Sequence, residues 1–375
     1  MTQDQPYRVE HIGSLLRPAE LIAARDAFKA GKLPHEELRA LEDRSIRDVV
    51  AMQEDLGLRS ITDGEFRRDS YLGDFVLALD GTELGPENET QLYYTDPKTG
   101  MRGIPGRKTL VTKPIRLPEG GITIEAFRFL KSVAKTGEPK VCIPGPPGLH
   151  YTIGRAQISR DVYPALDAFW DDVAEAYRQE LTLLAAAGCT LVQIDETSIP
   201  KLGDPNIQAN MAKRGDDWRE LLSSYTTIME RVVQSAPDGM TVALHHCRGN
   251  NKGMWQADTS YEPTADALFR GINAACYFLE YDTPRAGDFS PLRHLGPEPR
   301  VSLGLVSTKE RALEDPDTLK RRIDEAAKFV PLERLSLSPQ CGFSPGYTGH
   351  PLTHDDQKRK LDLVVRVARD VWGTA

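Results

Sequence analysis

The stretch Met240-Thr241-Val242-Ala243-Leu244-His245-His246-Cys247-Arg248-Gly249-Asn250 reads as a buried strand that ends in reactive side chains. Met240 to Leu244 is a run of strand formers, and two imidazoles and a thiol follow within three residues. In a strand, residues i and i+2 share a face, so His245 and Cys247 can point the same way while His246 points the other. The reverse, with His246 as the inward residue, is the alternative that spacing leaves open. A His-x-Cys pair taken alone is also compatible with core filling.

Working outward, seven further short apolar runs precede or follow this one: Val9 to Ile12, Leu58 to Thr62, Lys140 to Ile143, Thr190 to Ile194, Cys276 to Tyr281, Arg300 to Val306 and Arg334 to Ser338. Helical segments alternate with them, among them Pro34 to Leu56, Tyr163 to Ala187, Asp216 to Ala236 and Thr353 to Val371. Near-continuous apolar strands separated by helices predict a parallel sheet covered on both faces. Eight such units, with no composition shift to divide them, predict an α/β fold: a single (β/α)8 TIM barrel forming one domain over residues 1–375. A doubly wound open sheet would need a glycine-rich phosphate turn after its first strand, and Gly13-Ser14-Leu15-Leu16 is not one. Residues 80–120 differ from the rest. They are rich in polar and turn residues, with short β-like pieces at Gln91 to Tyr94 and Thr109 to Ile115, and read as an inserted hairpin or lid.

The chemistry-bearing residues collect just after strand ends: Ser14, Asp63 and Glu65, His150, Asp195 and Glu196, His245 with Cys247, Glu280, Ser307 and Cys341. In a barrel those positions line one mouth, where active sites are built. His245, Cys247, Glu280 and Cys341 form a donor set that suits zinc. Glu280 ends an apolar run, where an unpaired carboxylate would be costly to bury; a salt bridge with Arg285 is the plainer explanation. Two thiolates, an imidazole and a carboxylate would suit catalysis in which a substrate thiol joins the metal as its thiolate.

Composition sets bounds. The chain has 375 residues, 40% hydrophobic and 27% charged, with net charge −8. An acidic chain without a basic run argues against nucleic acid as a partner. No apolar run is long enough to span a membrane, and Met1-Thr2-Gln3-Asp4-Gln5-Pro6 does not read as a signal peptide, so the expectation is a cytoplasmic protein. Five cysteines do not make a disulfide framework. Cys142, Cys189 and Cys276 read as plain burial.

Taken in order, His11-Ile12-Gly13-Ser14, Asp63-Gly64-Glu65, Gln193-Ile194-Asp195-Glu196, His245-His246-Cys247, the run into Glu280 and Cys341-Gly342 resemble the catalytic barrel of cobalamin-independent methionine synthases, and more closely the family's short single-barrel members. The resemblance implies a Zn2+ site from His245, Cys247, Glu280 and Cys341. The zinc would activate a thiol, homocysteine, for attack on a methyl donor such as methyltetrahydrofolate. It implies that Ile12 and Ser14 hold the amino-acid carboxylate, and that Glu65 and Asp195 hold its ammonium group. The sequence also departs from the family. Leu305-Val306-Ser307 stands where the methionine synthases carry Ile-His-Ser, and Lys201 stands where an acid contacts folate. The Gly145 to Tyr151 loop occupies the folate region, with His150 or Tyr151 as candidate contacts. Two alternatives follow. An alkyltransferase using coenzyme M would share the zinc chemistry and need Arg17, Arg67 or Arg68 for a sulfonate. A zinc-binding protein without catalysis would ignore thiols. A homo-oligomer is compatible with each.

Overall fold

Seven of the eight apolar runs pair side by side in one parallel sheet. The computed structural model describes residues 7–86, 90–106, 108–347 and 350–374. Its strands are β1 (Ser60–Ile61), β2 (Asp80–Leu84), β3 (Thr90–Asp96), β4 (Gly100–Gly106), β5 (Thr109–Arg116), β6 (Glu138–Pro144), β7 (Leu191–Asp195), β8 (Thr241–His246), β9 (Cys276–Glu280), β10 (Arg300–Val306) and β11 (Leu335–Pro339). The parallel sheet has the order β1-β6-β7-β8-β9-β10-β11 and is curled, consistent with a TIM-barrel-like fold. Every residue of β7, β9 and β11 is buried, as continuous apolar strands with two covered faces require.

The expected first strand is reduced to a parallel bridge, Val9 to Leu337 of β11. Its neighbours reach both edges of the sheet. Glu10 N–H donates to the Leu337 carbonyl and Leu337 N–H to the Arg8 carbonyl, each at 3.0 Å. On the other side, Ser60 Oγ of β1 donates to Glu10 at 2.5 Å, and Thr62 Oγ1 donates to the Gly13 carbonyl at 2.7 Å. Lys140 Nζ completes the tie, bonding Glu10 at 3.1 Å and the His11 carbonyl at 2.5 Å, with its side chain fully buried. Buried charges of this kind persist only when paired.

Helices cover the outer face. His354–Trp372 begins with a capping box between Thr353 and Asp356, and buries Leu361, Val364, Val365 and Ala368. Trp218–Gln234 starts at Asp217, whose side chain accepts from Arg219 N–H, and buries Tyr225, Ile228 and Val232. Among the described residues no helix is long and apolar enough to cross a membrane.

Between β1 and β6 the chain forms two antiparallel pairs, β2 with β5 and β3 with β4. Residues 87–89 and 107 of the stretch expected as an insertion lie outside the described residues. Thr95 of β3 exchanges backbone hydrogen bonds with Trp255, at 2.7 and 3.2 Å, so this ribbon rests on the loop that follows β8.

Candidate metal centre

Strand register brings the reactive residues together. Asp195 at the end of β7 pairs with His245 of β8, and Glu280 at the end of β9 pairs with Gly304 of β10. Beyond β8 and β11 the chain turns inward, so one ligand atom from each of His245, Cys247 and Cys341 lies within 4.8 Å of the other two. All three residues are buried. The two sulfurs are 3.9 Å apart and no disulfide joins them. Two thiolates sharing a tetrahedral ion with bonds of about 2.3 Å lie about 3.8 Å apart, so the spacing fits a metal. His245 adds a second observation: its ring nitrogens are buried with no nitrogen or oxygen partner among the described residues, and although burial lowers its pKa, the adjacent Cys247 outweighs that and raises it. Buried nitrogens left so are costly unless something binds them. Cys341 acts as donor to Cys247, which holds the Cys247 thiol well below its usual value and pushes Cys341 well above. The pair therefore keeps one proton that a bound cation would displace. His246 points away, with Nδ1 2.6 Å from the Glu196 carbonyl and its ring stacked on Tyr277.

Beside the cluster lies a pocket with an acidic wall, to which Ile12, Ser14, Glu65 and Asp195 all contribute. Glu65 is held in a left-handed backbone conformation, φ 62°, by Asp63 Oδ1 accepting its N–H at 2.8 Å and Arg17 Nη2 donating to its carbonyl at 2.6 Å. Strain of this kind is characteristic of functional positions. Burial, reinforced by nearby Asp195 and only partly offset by Arg68, pushes the Glu65 carboxyl up to about 7. Its Oε1 pairs with Arg68 at 3.0 Å, and its buried Oε2 has no partner among the described residues. Burial also raises Asp195, which accepts from Gln193 Nε2 at 2.7 Å. Two glycines make room for this wall. A Cβ at Gly342 would lie 2.0 Å from Ser14 Oγ, and Gly13, at φ 89°, lets the chain pass 2.5 Å from Cys142 Sγ by the same measure.

Glu280 sits differently. It is fully buried, yet lies outside the three-residue cluster. Its Oε1 receives Lys309 Nζ at 2.8 Å and Arg285 Nη2 at 2.9 Å, and its Oε2 receives the Arg248 backbone N–H at 2.6 Å. Burial alone would raise its carboxyl; Lys309, then Arg248 and Arg285, outweigh it and hold the group well below the usual carboxylate range.

The structure separates the two folate-region candidates. The segment after β6 is a short helix, Pro147–Ile153. It turns His150 away from the mouth, with Nδ1 2.9 Å from Tyr225 Oη and its ring against Trp170. Tyr151 faces a cavity of about 490 Å³ that adjoins the acidic pocket. Tyr71, Tyr94, Lys201 and Gln256 line both spaces; of these, sequence reading places only Lys201 in the folate region and does not single out Tyr71, Tyr94 and Gln256. Lys201, 3% exposed, donates to Gln256 Oε1 at 2.6 Å and lies 4.9 Å from the Tyr151 ring centre. Tyr94 lies on β3, outside the main sheet, and Gln256 lies ten residues past the end of β8, so a rule that looks just after strand ends could not find them.

Residues 9–369 match the family model described as "Cobalamin-independent synthase, Catalytic domain". Protein YxjG of Bacillus subtilis, described as uncharacterized, is 36% identical over 98% of this chain and 95% of its own. A Sulfurisphaera tokodaii protein named methionine synthase is 26% identical over 88% of this chain and 84% of its own. A Listeria monocytogenes structure, provisionally described as a vitamin-B12-independent methionine synthase, superposes with TM-score 0.76 at 32% identity, covering 99% of this chain and 100% of the other. By its fold, its strand-end residues and these matches, the chain belongs to the cobalamin-independent synthase catalytic-domain family.

Proposed function

We propose that the chain is a zinc-dependent methyltransferase that takes homocysteine as its thiol and a methylated carrier such as methyltetrahydrofolate as donor, giving methionine. The observation that carries this reading is one buried pocket lined both by the His245–Cys247–Cys341 cluster and by the carboxyls of Glu65 and Asp195, which burial raises. That combination of lining groups suits a molecule that carries both a thiol and an ammonium. His245, Cys247 and Cys341 would hold the zinc, with Glu280 beside them. Zinc, when bound, would supply a thiolate nucleophile at neutral pH.

The remaining work falls to this chain's own residues. Glu65 Oε2 and Asp195 would accept hydrogen bonds from the substrate ammonium, with Ser14 Oγ and the Ile12 backbone at its carboxylate. The substrate sulfur then forms its bond to the methyl carbon as the bond to the carrier breaks. The electron pair stays on the carrier. Lys201 lies on the wall shared by the two spaces; burial lowers its amine, and in its protonated form it would offset charge developing on the departing group. Alignment of sulfur and methyl group is the other contribution. We read the segment around Val9 as the eighth stave of a closed barrel, residues 1–375 as one domain, and the β3–β4 ribbon as a lid that brings Tyr94 to the mouth.

The coenzyme M alternative needs an arginine for a sulfonate. Arg17 is spent on the carbonyls of Glu65, Arg68 and Ser344, Arg67 pairs with Glu42 and Asp43, and Arg68 pairs with Glu65. The test uses cobalt in place of zinc. Homocysteine is expected to change the bound-metal absorption at one equivalent, and coenzyme M to leave it unchanged. Methionine formation from homocysteine and methyltetrahydrofolate should then be abolished by chelation. A protein that takes up no metal, or whose metal spectrum ignores homocysteine, contradicts the proposal.

A further inference from the structure

We propose that Lys201 is the general acid of the transfer: its ammonium hands a proton to the carrier nitrogen as the methyl group leaves for the substrate sulfur. The inference rests on the methyl-transfer reading above and adds to it the source of that proton.

A carrier that holds its methyl group on nitrogen is a poor leaving group as an anion, so a proton must reach that nitrogen as its bond to carbon breaks. The methyl group passes between the pocket of the metal cluster and the adjoining cavity, so the proton donor must belong to both walls. Among the residues that line both, only Tyr71, Tyr94 and Lys201 carry an ionisable side chain. Burial pushes the Tyr71 phenol well above its ordinary value and Tyr94 up to about 12, so both keep their protons at neutral pH. Burial moves Lys201 the other way, outweighing the opposing pull of Cys247 and Glu196, and so makes its ammonium a better acid. Of the histidines near the mouth, His245 belongs to the cluster, while His150 and His246 face away. The end of β10 offers Val306, which has no proton to give.

Lys201 is placed by its own loop. Glu196, next to Asp195, accepts the Ser198 N–H at 2.8 Å and the Ile199 N–H at 3.0 Å, which fixes the short turn Ser198–Lys201. One loop thus carries Asp195 in the thiol pocket and Lys201 at its border with the cavity. An ammonium has three N–H donors, and Gln256 Oε1 is the one hydrogen-bond acceptor of Lys201 Nζ among the described residues. The rest are free to meet a ligand. The step balances. The thiol loses its proton on entering, and its sulfur bonds the methyl carbon. The carbon–nitrogen electron pair stays on the carrier and takes the Lys201 proton. The neutral amine then regains a proton from water, so the proton that the thiol gives up matches the one that the carrier gains.

The experiment measures two quantities on full-length chains: the single-turnover rate of methionine formation from methyltetrahydrofolate with zinc loaded, and the homocysteine dissociation constant from the cobalt spectrum. Lys201→Met should slow transfer by about 100-fold or more, as loss of a general acid does, with homocysteine affinity close to wild type. Lys201→Arg keeps the charge but holds its proton too tightly to transfer it, so it should be as slow. Lys201→Ala leaves room for a small amine, and added ethylammonium should speed its transfer by about ten-fold or more while leaving wild type unchanged. A smaller loss in the methionine or arginine variant, or a smaller response of the alanine variant to ethylammonium, overturns the proposal; recovery in Lys201→Arg would leave Lys201 the role of a charge alone. Should Lys201→Met lose homocysteine binding through misfolding, the amine response of Lys201→Ala decides. With a wild type that makes methionine, those results remove this inference and leave the methyl-transfer reading standing. A wild type that makes no methionine overturns both.

Discussion

Two sets of buried carboxylates face the same mouth with opposite surroundings. Glu280 has more cationic partners than it needs, with Lys309, Arg285 and the Arg248 N–H all directed at it. Glu65 forms one ion pair among the described residues, with Arg68, Asp195 accepts from the neutral Gln193 amide, and Glu65 Oε2 has no partner among the described residues. Burial penalises both sets alike, so the difference is one of neutralisation. An over-neutralised carboxylate is already satisfied and serves to order the loops around it. An under-neutralised pair is destabilising when empty, and that cost is recovered only when a cation arrives from outside. The second arrangement is what a site for a substrate ammonium requires.

Substitutions can break this comparison. Glu280→Gln should give the largest effect on stability, about 3 kcal/mol or more, because it strands two buried cations. Thermal unfolding would show it, and an unchanged transition would mean that the ion pairs are not formed in solution. Glu65→Gln should act in the opposite sense. Homocysteine should bind about 10- to 100-fold more weakly, since a charge-assisted hydrogen bond contributes about 1.5–3 kcal/mol, while the empty protein should become more stable. The pH dependence follows from the sign of the shift. With the folded value near 7 above the ordinary 4.5, Glu65 binds its proton more tightly in the folded state. Stability present below pH 4.5 is therefore lost as pH rises through 7, by about 1.4 kcal/mol per unit. The difference in melting temperature between Glu65→Gln and wild type should widen over that window; a constant difference would remove the shift from the account.

Histidines sharpen the contrast from the other side. Burial lowers His11 to about 3 and His150 to about 4. Their folded values lie below the ordinary 6.5, so their contribution is complete above pH 6.5 and is lost as pH falls towards 4. Each contributes up to about 1.4 kcal/mol per unit. Acid unfolding curves of His150→Phe should be shallower than wild type, with homocysteine binding unchanged because His150 packs against Trp170 and Tyr225. The smallest expected effect is at Arg67, which pairs outside the pocket with Glu42 and Asp43. Arg67→Ala should leave the preference for homocysteine over coenzyme M untouched; a shift towards coenzyme M would return an arginine to the substrate.

Much of the site was legible because strand ends obey a two-residue period. His245 and Cys247 face inward and His246 outward as alternation predicts, and the strands were found within a few residues because each is a short apolar run. What escaped was set by other periods and by distance. His150 and Tyr151 are neighbours in sequence but sit on a helical turn, which rotates adjacent residues by about 100°. One therefore faces the core and the other the cavity. The salt bridge of Glu280 with Arg285 was readable from nearness in sequence. Lys309, 29 residues away, was not, because only the register of β9 against β10 brings it close. Tyr94 reaches the mouth through the pairing of Thr95 with Trp255, a contact no local pattern announces.

The central claim is that a substrate thiol enters the metal's coordination shell beside His245, Cys247 and Cys341. X-ray absorption at the zinc edge of the zinc-loaded chain, recorded with and without selenohomocysteine, tests it most directly. The account predicts one nitrogen, two sulfur neighbours and one oxygen at rest, and a zinc–selenium shell once the selenol is added. An unchanged spectrum with selenohomocysteine bound would contradict it.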